Sequence, residues 1–168
     1  LEQFIPKFFE VAKKKDKMTF IHTIRDCLIN LSEQEKSKLW STWLKEYWIN
    51  RINNIPVSLE DDERTEMLNW CLKLDCLFPE AVQIIEMENN LKKVNNSFIN
   101  RLRYSNIIQY YPNDVTKLLI SILNSGAKID NIEYSMSELI NKLDITDKTL
   151  VTKLNEALLR RHITLTIM

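Results

Sequence analysis

One glycine, Gly126, is present in 168 residues, where average usage of about 7% would supply roughly twelve. Glycine-cradled phosphate loops, primed hairpin turns and nucleotide-binding turns need positive φ or close backbone approach, so this scarcity argues against all three. An excess of either charge is also missing. The 23 Lys+Arg balance 23 Asp+Glu, which removes the global electrostatic argument for nucleic acid. Three cysteines, Cys27, Cys71 and Cys76, are too few and odd in number for a disulfide framework, and a reducing cytoplasm is the expected compartment. Apolar runs such as 118–123 fall far short of the ~20 residues that span a bilayer, so no membrane is expected. Residues 1–10 lack the order of a secretory signal, and no initiator methionine is present; a domain excised from a longer chain is expected.

Catalytic signatures are scarce as well. Only His22 and His162 occur, and neither completes a Glu-x-x-His pattern. A zinc site would have to combine Cys71 and Cys76 with distant histidines at irregular spacing. The acidic run from Glu60 to Glu66 has neither calcium-loop spacing nor the glycine of the sharp turn, and reads as favourable charge at a helix start. No catalytic residue, metal ligand or cofactor is therefore assigned.

What the chain does have is helical periodicity almost throughout. Phe4, Phe8, Val11 and Ala12 suggest a first helix, and Met18 to Leu31 a second. Ser32 followed by Glu35 is a capping box that opens a third, running to about Ile52. Further helices are expected from Ser58 through Leu74, after Pro79, from Phe98 to Ile108, from Pro112 to Gly126, over Ser137–Leu143 and from Asp147 to Arg161. Ile163 to Ile167 alternates with threonine and reads as a short strand or a docked tail. The fold class is all-α, an array or bundle of about seven to nine short, mostly antiparallel helices. One domain over 1–168 is expected, with the Asn-rich stretch near 89–97 as the alternative division into 1–92 and 97–168.

The densest feature is aromatic. Trp40, Trp43, Tyr47 and Trp48, with Leu39 and Leu44, cover an arc of roughly 180° on one helix, which marks them as core together with Trp70. Arg51 falls within that arc, and Glu63 interrupts the Met67/Trp70 face of the next helix. Isolated buried charges are costly, so packing the two faces together predicts an Arg51–Glu63 charge-assisted pair. Cys71 shares the Met67/Leu74 face and reads as a buried, inert thiol. Towards the C-terminus, residues 137–154 resemble a helix-turn-helix without its usual glycine, and Lys148, Lys153, Arg160 and Arg161 are its candidate nucleic-acid contacts.

Trp43-Leu44, Tyr47-Trp48, Arg51, Ile55-Pro56, Glu63, Met67 and Trp70, followed by Phe78-Pro79-Glu80-Ala81-Val82, carry a resemblance over roughly residues 36–125. These motifs look like an uncharacterised tryptophan-rich helical domain found C-terminal to sirtuin-like domains in prokaryotic, defence-type proteins. The resemblance implies a parent chain in which an NAD-consuming module acts in antiviral defence and the helical region serves as sensor or assembly surface. No NAD-binding residue carries over, because the glycine-rich loop and catalytic histidine environment of a sirtuin have no counterpart here. The expected function is a non-catalytic accessory domain that binds protein, either other domains of its parent or a second chain. The alternative is a nucleic-acid-binding module built on the C-terminal helix pair. A cryptic enzyme built on Arg51, Glu63 and the tryptophans is a third reading, which would need a polar, water-accessible pocket.

Overall fold

The computed structural model describes residues 8, 11–54, 61–87, 91, 94, 96–126 and 132–164. Among them the chain is helical with no strand, and it divides into two compact units, Leu1–Leu77 and Phe78–Met168.

In the first unit, α1 (Lys14–Asn30) packs on α4 (Asp61–Cys71). Between them runs one continuous rod: α2 (Glu33–Leu39), a π-helical turn (Trp40–Leu44) and α3 (Lys45–Asn54). The rod starts where the sequence places it. Ser32 Oγ accepts from the Glu35 N–H while Glu35 Oε2 accepts from the Ser32 N–H at 2.9 Å, so two orphan donors are satisfied reciprocally. The π turn is closed by the Lys45 N–H reaching the Trp40 carbonyl, and it fits an extra residue into the helical winding. The buried faces on either side of it therefore do not follow a single 3.6-residue register. A short 3₁₀ turn (Asp75–Leu77) follows α4, and buried Lys36 pairs with Asp75 to tie it to α2. The earliest expected helix lies mostly outside the described residues, as does Ser58.

In the second unit, α5 (Phe78–Glu86), α6 (Asn96–Arg103), α7 (Ile107–Tyr110), α8 (Pro112–Asn124), α9 (Ile132–Ile140) and α10 (Lys148–Arg160) follow in order. Helix α8 is the hub. It opens on Pro112, contributes buried Val115, Leu118, Leu119, Ile122 and Leu123, and packs against α5, α7 and α10, while α9 packs on α6. Gly126 sits just past its end at φ +77°, where a side chain would be strained. The single helix expected over 98–108 is instead two, because the Ser105 N–H and hydroxyl both turn back to the Leu102 carbonyl and end α6. The units divide at Leu77/Phe78 and not at the Asn-rich stretch. Leu91 and Val94 are buried despite their polar neighbours, so that stretch anchors hydrophobic side chains as well as linking helices.

Helix α10 is capped by Asp147, whose carboxylate accepts from the Thr149 and Leu150 N–H groups at 2.8 and 3.3 Å. Its other end replaces the expected strand at Ile163, while 165–168 lie outside the described residues. The Ile163 N–H bonds the Leu158 carbonyl and the His162 N–H bonds the Leu159 carbonyl, at 3.0 and 2.9 Å, with Ile163 buried: a Schellman motif. The left-handed position, normally glycine, is filled by His162 at φ +56°. His162→Gly is expected to stabilise the protein by roughly 0.5–1 kcal/mol, since relief of left-handed strain outweighs the extra freedom of glycine in the unfolded chain. A urea midpoint that does not rise would contradict this.

Candidate functional site

Tyr47 and Arg51 stand four residues apart on α3 and so share one face, which meets the first turn of α4 at Glu63. The structure brings all three together. Glu63 is 2% exposed and accepts from Tyr47 Oη at 2.6 Å, from Arg51 Nε at 2.7 Å and from Arg51 Nη2 at 2.6 Å. The arginine fork is bidentate on the carboxylate, the strongest geometry available to such a pair. Burial, followed by the Glu63 charge and hydrogen bond, holds the Tyr47 hydroxyl well above its ordinary pKa. Burial works against the Arg51 cation, but the hydrogen bonds and charge of Glu63 outweigh it and leave its pKa raised.

Aromatic rings surround this clamp. Tyr47 lies 6.1 Å from Trp70 and 6.2 Å from Trp43, Trp48 stacks on Trp70 at 6.2 Å, and Trp40 meets Trp48 edge-on at 5.4 Å. All five expected aromatic side chains are buried. The Trp70 indole also donates to the Ile21 carbonyl at 3.2 Å, joining α4 to α1, whereas Trp48 Nε1 meets no acceptor among the described residues. Three of the roughly four acceptor directions of Glu63 are taken by its own neighbours, so the arrangement fastens helices and leaves little acceptor capacity for a ligand.

Residues 4–158 match the family described as Domain of unknown function (DUF4020). The chain belongs to that family. No curated protein and no solved structure matches it. Because the match covers both compact units, the clamp and the α8-centred unit are parts of one DUF4020 domain.

A second polar cluster of the DUF4020 domain lies between α1 and α4, where Glu66, one turn after Glu63, is also buried. Arg25 Nη1 and His22 Nδ1 stand 3.5 and 3.7 Å from its two oxygens, and Asn69 Nδ2 donates to Oε1 at 3.2 Å. Sequence reading folded Glu66 into the acidic helix start. Its three-residue spacing from Glu63 was the signal that both face inward. Among the described residues no group of three or more metal-ligating side chains forms, and no helix is long and apolar enough to cross a membrane.

The C-terminal candidates do not converge on one site. Lys148 and Lys153, with Thr149, Thr152 and Glu156, line an open depression of about 430 Å³ on α10. Arg160 lies outside that lining, between Glu156 at its edge and Asn124 on α8, and Arg161 reaches back to within 3.7 Å of the space beside Gly126. A helix-turn-helix has a connection of about three or four residues. Here the connection spans 141–147, and α9 and α10 take α6 and α8 as their main packing partners.

Of the cysteines, Cys71 is buried and its burial pushes the thiol far above its ordinary pKa, while Cys27 and Cys76 are exposed. At mildly alkaline pH a thiol reagent is expected to modify Cys27 and Cys76 in the folded protein and to reach Cys71 only in denaturant. Rapid native labelling of Cys71, read by peptide mapping, would contradict the sealed core.

Proposed function

We propose that this DUF4020 domain is a non-catalytic helical accessory module of a larger cytoplasmic protein, which senses a protein partner or holds an assembly together. The Tyr47–Arg51–Glu63 clamp carries the reading. The densest gathering of functional side chains in the sequence is committed to joining α3 to α4 among buried tryptophans. A catalytic carboxylate needs water access and unspent hydrogen-bonding capacity. The free thiols Cys27 and Cys76 on the surface fit a reducing compartment.

The finer setting rests on the family resemblance: an NAD-consuming sirtuin-like module in the same chain, with antiviral defence as the context. In that arrangement the nucleotide chemistry belongs wholly to the other module, because this sequence has a single glycine with which to build a phosphate loop. The test is hydrogen exchange and oligomeric state of the domain, measured alone and with the remainder of its parent chain. Slowed exchange on exposed helical faces in the presence of the parent is expected. Unchanged exchange together with an unchanged oligomeric state, with the parent and with its triggering partner, would overturn the reading.

A further inference from the structure

Two exposed tyrosines lie at helices α6 and α9. Tyr104, directly after α6, is 72% exposed, and Tyr134 on α9 is 67% exposed, although large aromatic side chains are usually mostly buried. Tyr104 is held in place. Arg103 Nη2 donates to its hydroxyl at 2.6 Å, and the Arg103 guanidinium and Lys142 ammonium lie 4.5 and 5.1 Å from its ring centroid. Glu138 pairs with Arg103 and accepts from the Tyr134 hydroxyl at 2.9 Å, so that carboxylate is already engaged. Lys142 and, one turn before Tyr104, Arg101 are exposed and form no ion pair among the described residues. The result is a pre-positioned, largely exposed ring with Arg103 and Lys142 over it, and with Arg101 exposed one turn earlier in the chain.

We propose that this face binds single-stranded nucleic acid, with a base stacked on Tyr104 and neighbouring phosphates attracted to Lys142 and Arg101. At 72% exposure the Tyr104 ring keeps surface beyond what the two cations cover; such aromatic surface serves any unpaired base, and adjacent cations serve the backbone that joins the bases. A duplex hides its base faces inside the stack and would use the cations alone. An acidic polypeptide likewise satisfies the charges and leaves the ring unused. Pinning by Arg103 lowers the ordering cost that a free tyrosine would incur on stacking. The surface is separate from Lys148 and Lys153 on α10, and it does not depend on the accessory-module reading.

The experiment is fluorescence anisotropy of labelled oligothymidine and oligouridine, about a dozen nucleotides long, with the full chain at roughly 50 mM salt. Single strands are expected to bind more tightly than a duplex of the same length, and affinity should fall as salt rises. Tyr104→Ala should weaken binding by about tenfold or more, whereas Tyr104→Phe, which keeps the ring and loses only the Arg103 bond, should weaken it far less, and Lys153→Glu on α10 leaves it unchanged. Because Tyr104 is exposed, unaltered circular dichroism and melting will show that the alanine variant is folded. Three results would each overturn the proposal: no binding of any single strand at low salt, equal binding by Tyr104→Ala, or displacement of the strand by polyglutamate as readily as by unlabelled strand.

Discussion

Glu63→Gln is expected to destabilise the first unit by about 3 kcal/mol, the low end of the cost of breaking a buried pair, because the Arg51 cation left behind is only half-buried. The glutamine keeps the shape and an oxygen for the Tyr47 hydroxyl, but it offers Arg51 no charge and no second acceptor for the bidentate fork. Arg51→Met in a wild-type background should also be costly, because the buried carboxylate then keeps only the Tyr47 bond. Combining Arg51→Met with Glu63→Leu removes both charges and should recover much of either loss, since well-packed apolar side chains often replace a buried pair at little cost. Urea denaturation of the wild type, Arg51→Met, Glu63→Leu and their double variant gives the coupling energy directly. A double variant no more stable than the worse single one would mean that the clamp is not an isolated pair. Tyr47 adds a pH signature. Its hydroxyl has a raised pKa in the fold, so the protonated form is favoured there and the stability it confers is complete below the ordinary value of 10.0. That contribution is lost as pH rises beyond it, and Tyr47→Phe should flatten this alkaline decline.

Arg51 and Glu63 were legible because a charge interrupting an apolar arc has few physical excuses, and two such interruptions on consecutive helices excuse each other. The partnership of Tyr47 was not legible. Periodicity placed its ring in the core, but ring position says nothing about where the hydroxyl points. The π turn at Trp40–Leu44 left no local mark, since every residue in it is acceptable in an α-helix, and only packing selects the wider winding. The asparagines at 89, 90, 95 and 96 look like a linker and suggested a possible division there, whereas the isolated apolar residues among them, Leu91 and Val94, are buried. His162 was not legible: the alternation after it suggested a short strand or a docked tail, and nothing in the pattern marked His162 as the left-handed residue that ends α10. Exposed Tyr104 was invisible for a simpler reason: pattern analysis locates faces that hide from water, and this ring does not.

The other large effect belongs to Trp70. Trp70→Ala is expected to cost about 3–5 kcal/mol, the loss of a fully buried indole plus the cavity that remains. Trp70 touches both other parts of its unit: its ring meets Tyr47 and Trp48 on α3, and its N–H meets the Ile21 carbonyl on α1. Its neighbour Trp48 is equally buried, yet its indole N–H finds no acceptor among the described residues. The phenylalanine variants separate these two roles. Trp70→Phe leaves the Ile21 carbonyl without its side-chain donor and shrinks the ring, so both losses add. Trp48→Phe shrinks the ring but also removes a polar N–H whose burial was uncompensated, so the losses partly cancel. The expected order of destabilisation is Trp70→Ala, then Trp70→Phe, then Trp48→Phe, with about 1 kcal/mol or more between the two phenylalanine variants. Equal urea midpoints for Trp70→Phe and Trp48→Phe would show that ring volume alone matters and that the hydrogen bond to α1 contributes nothing. The predicted order would instead make the Trp70 indole a polar fastening of α4 to α1, alongside the Glu63 clamp to α3 and the Glu66 cluster.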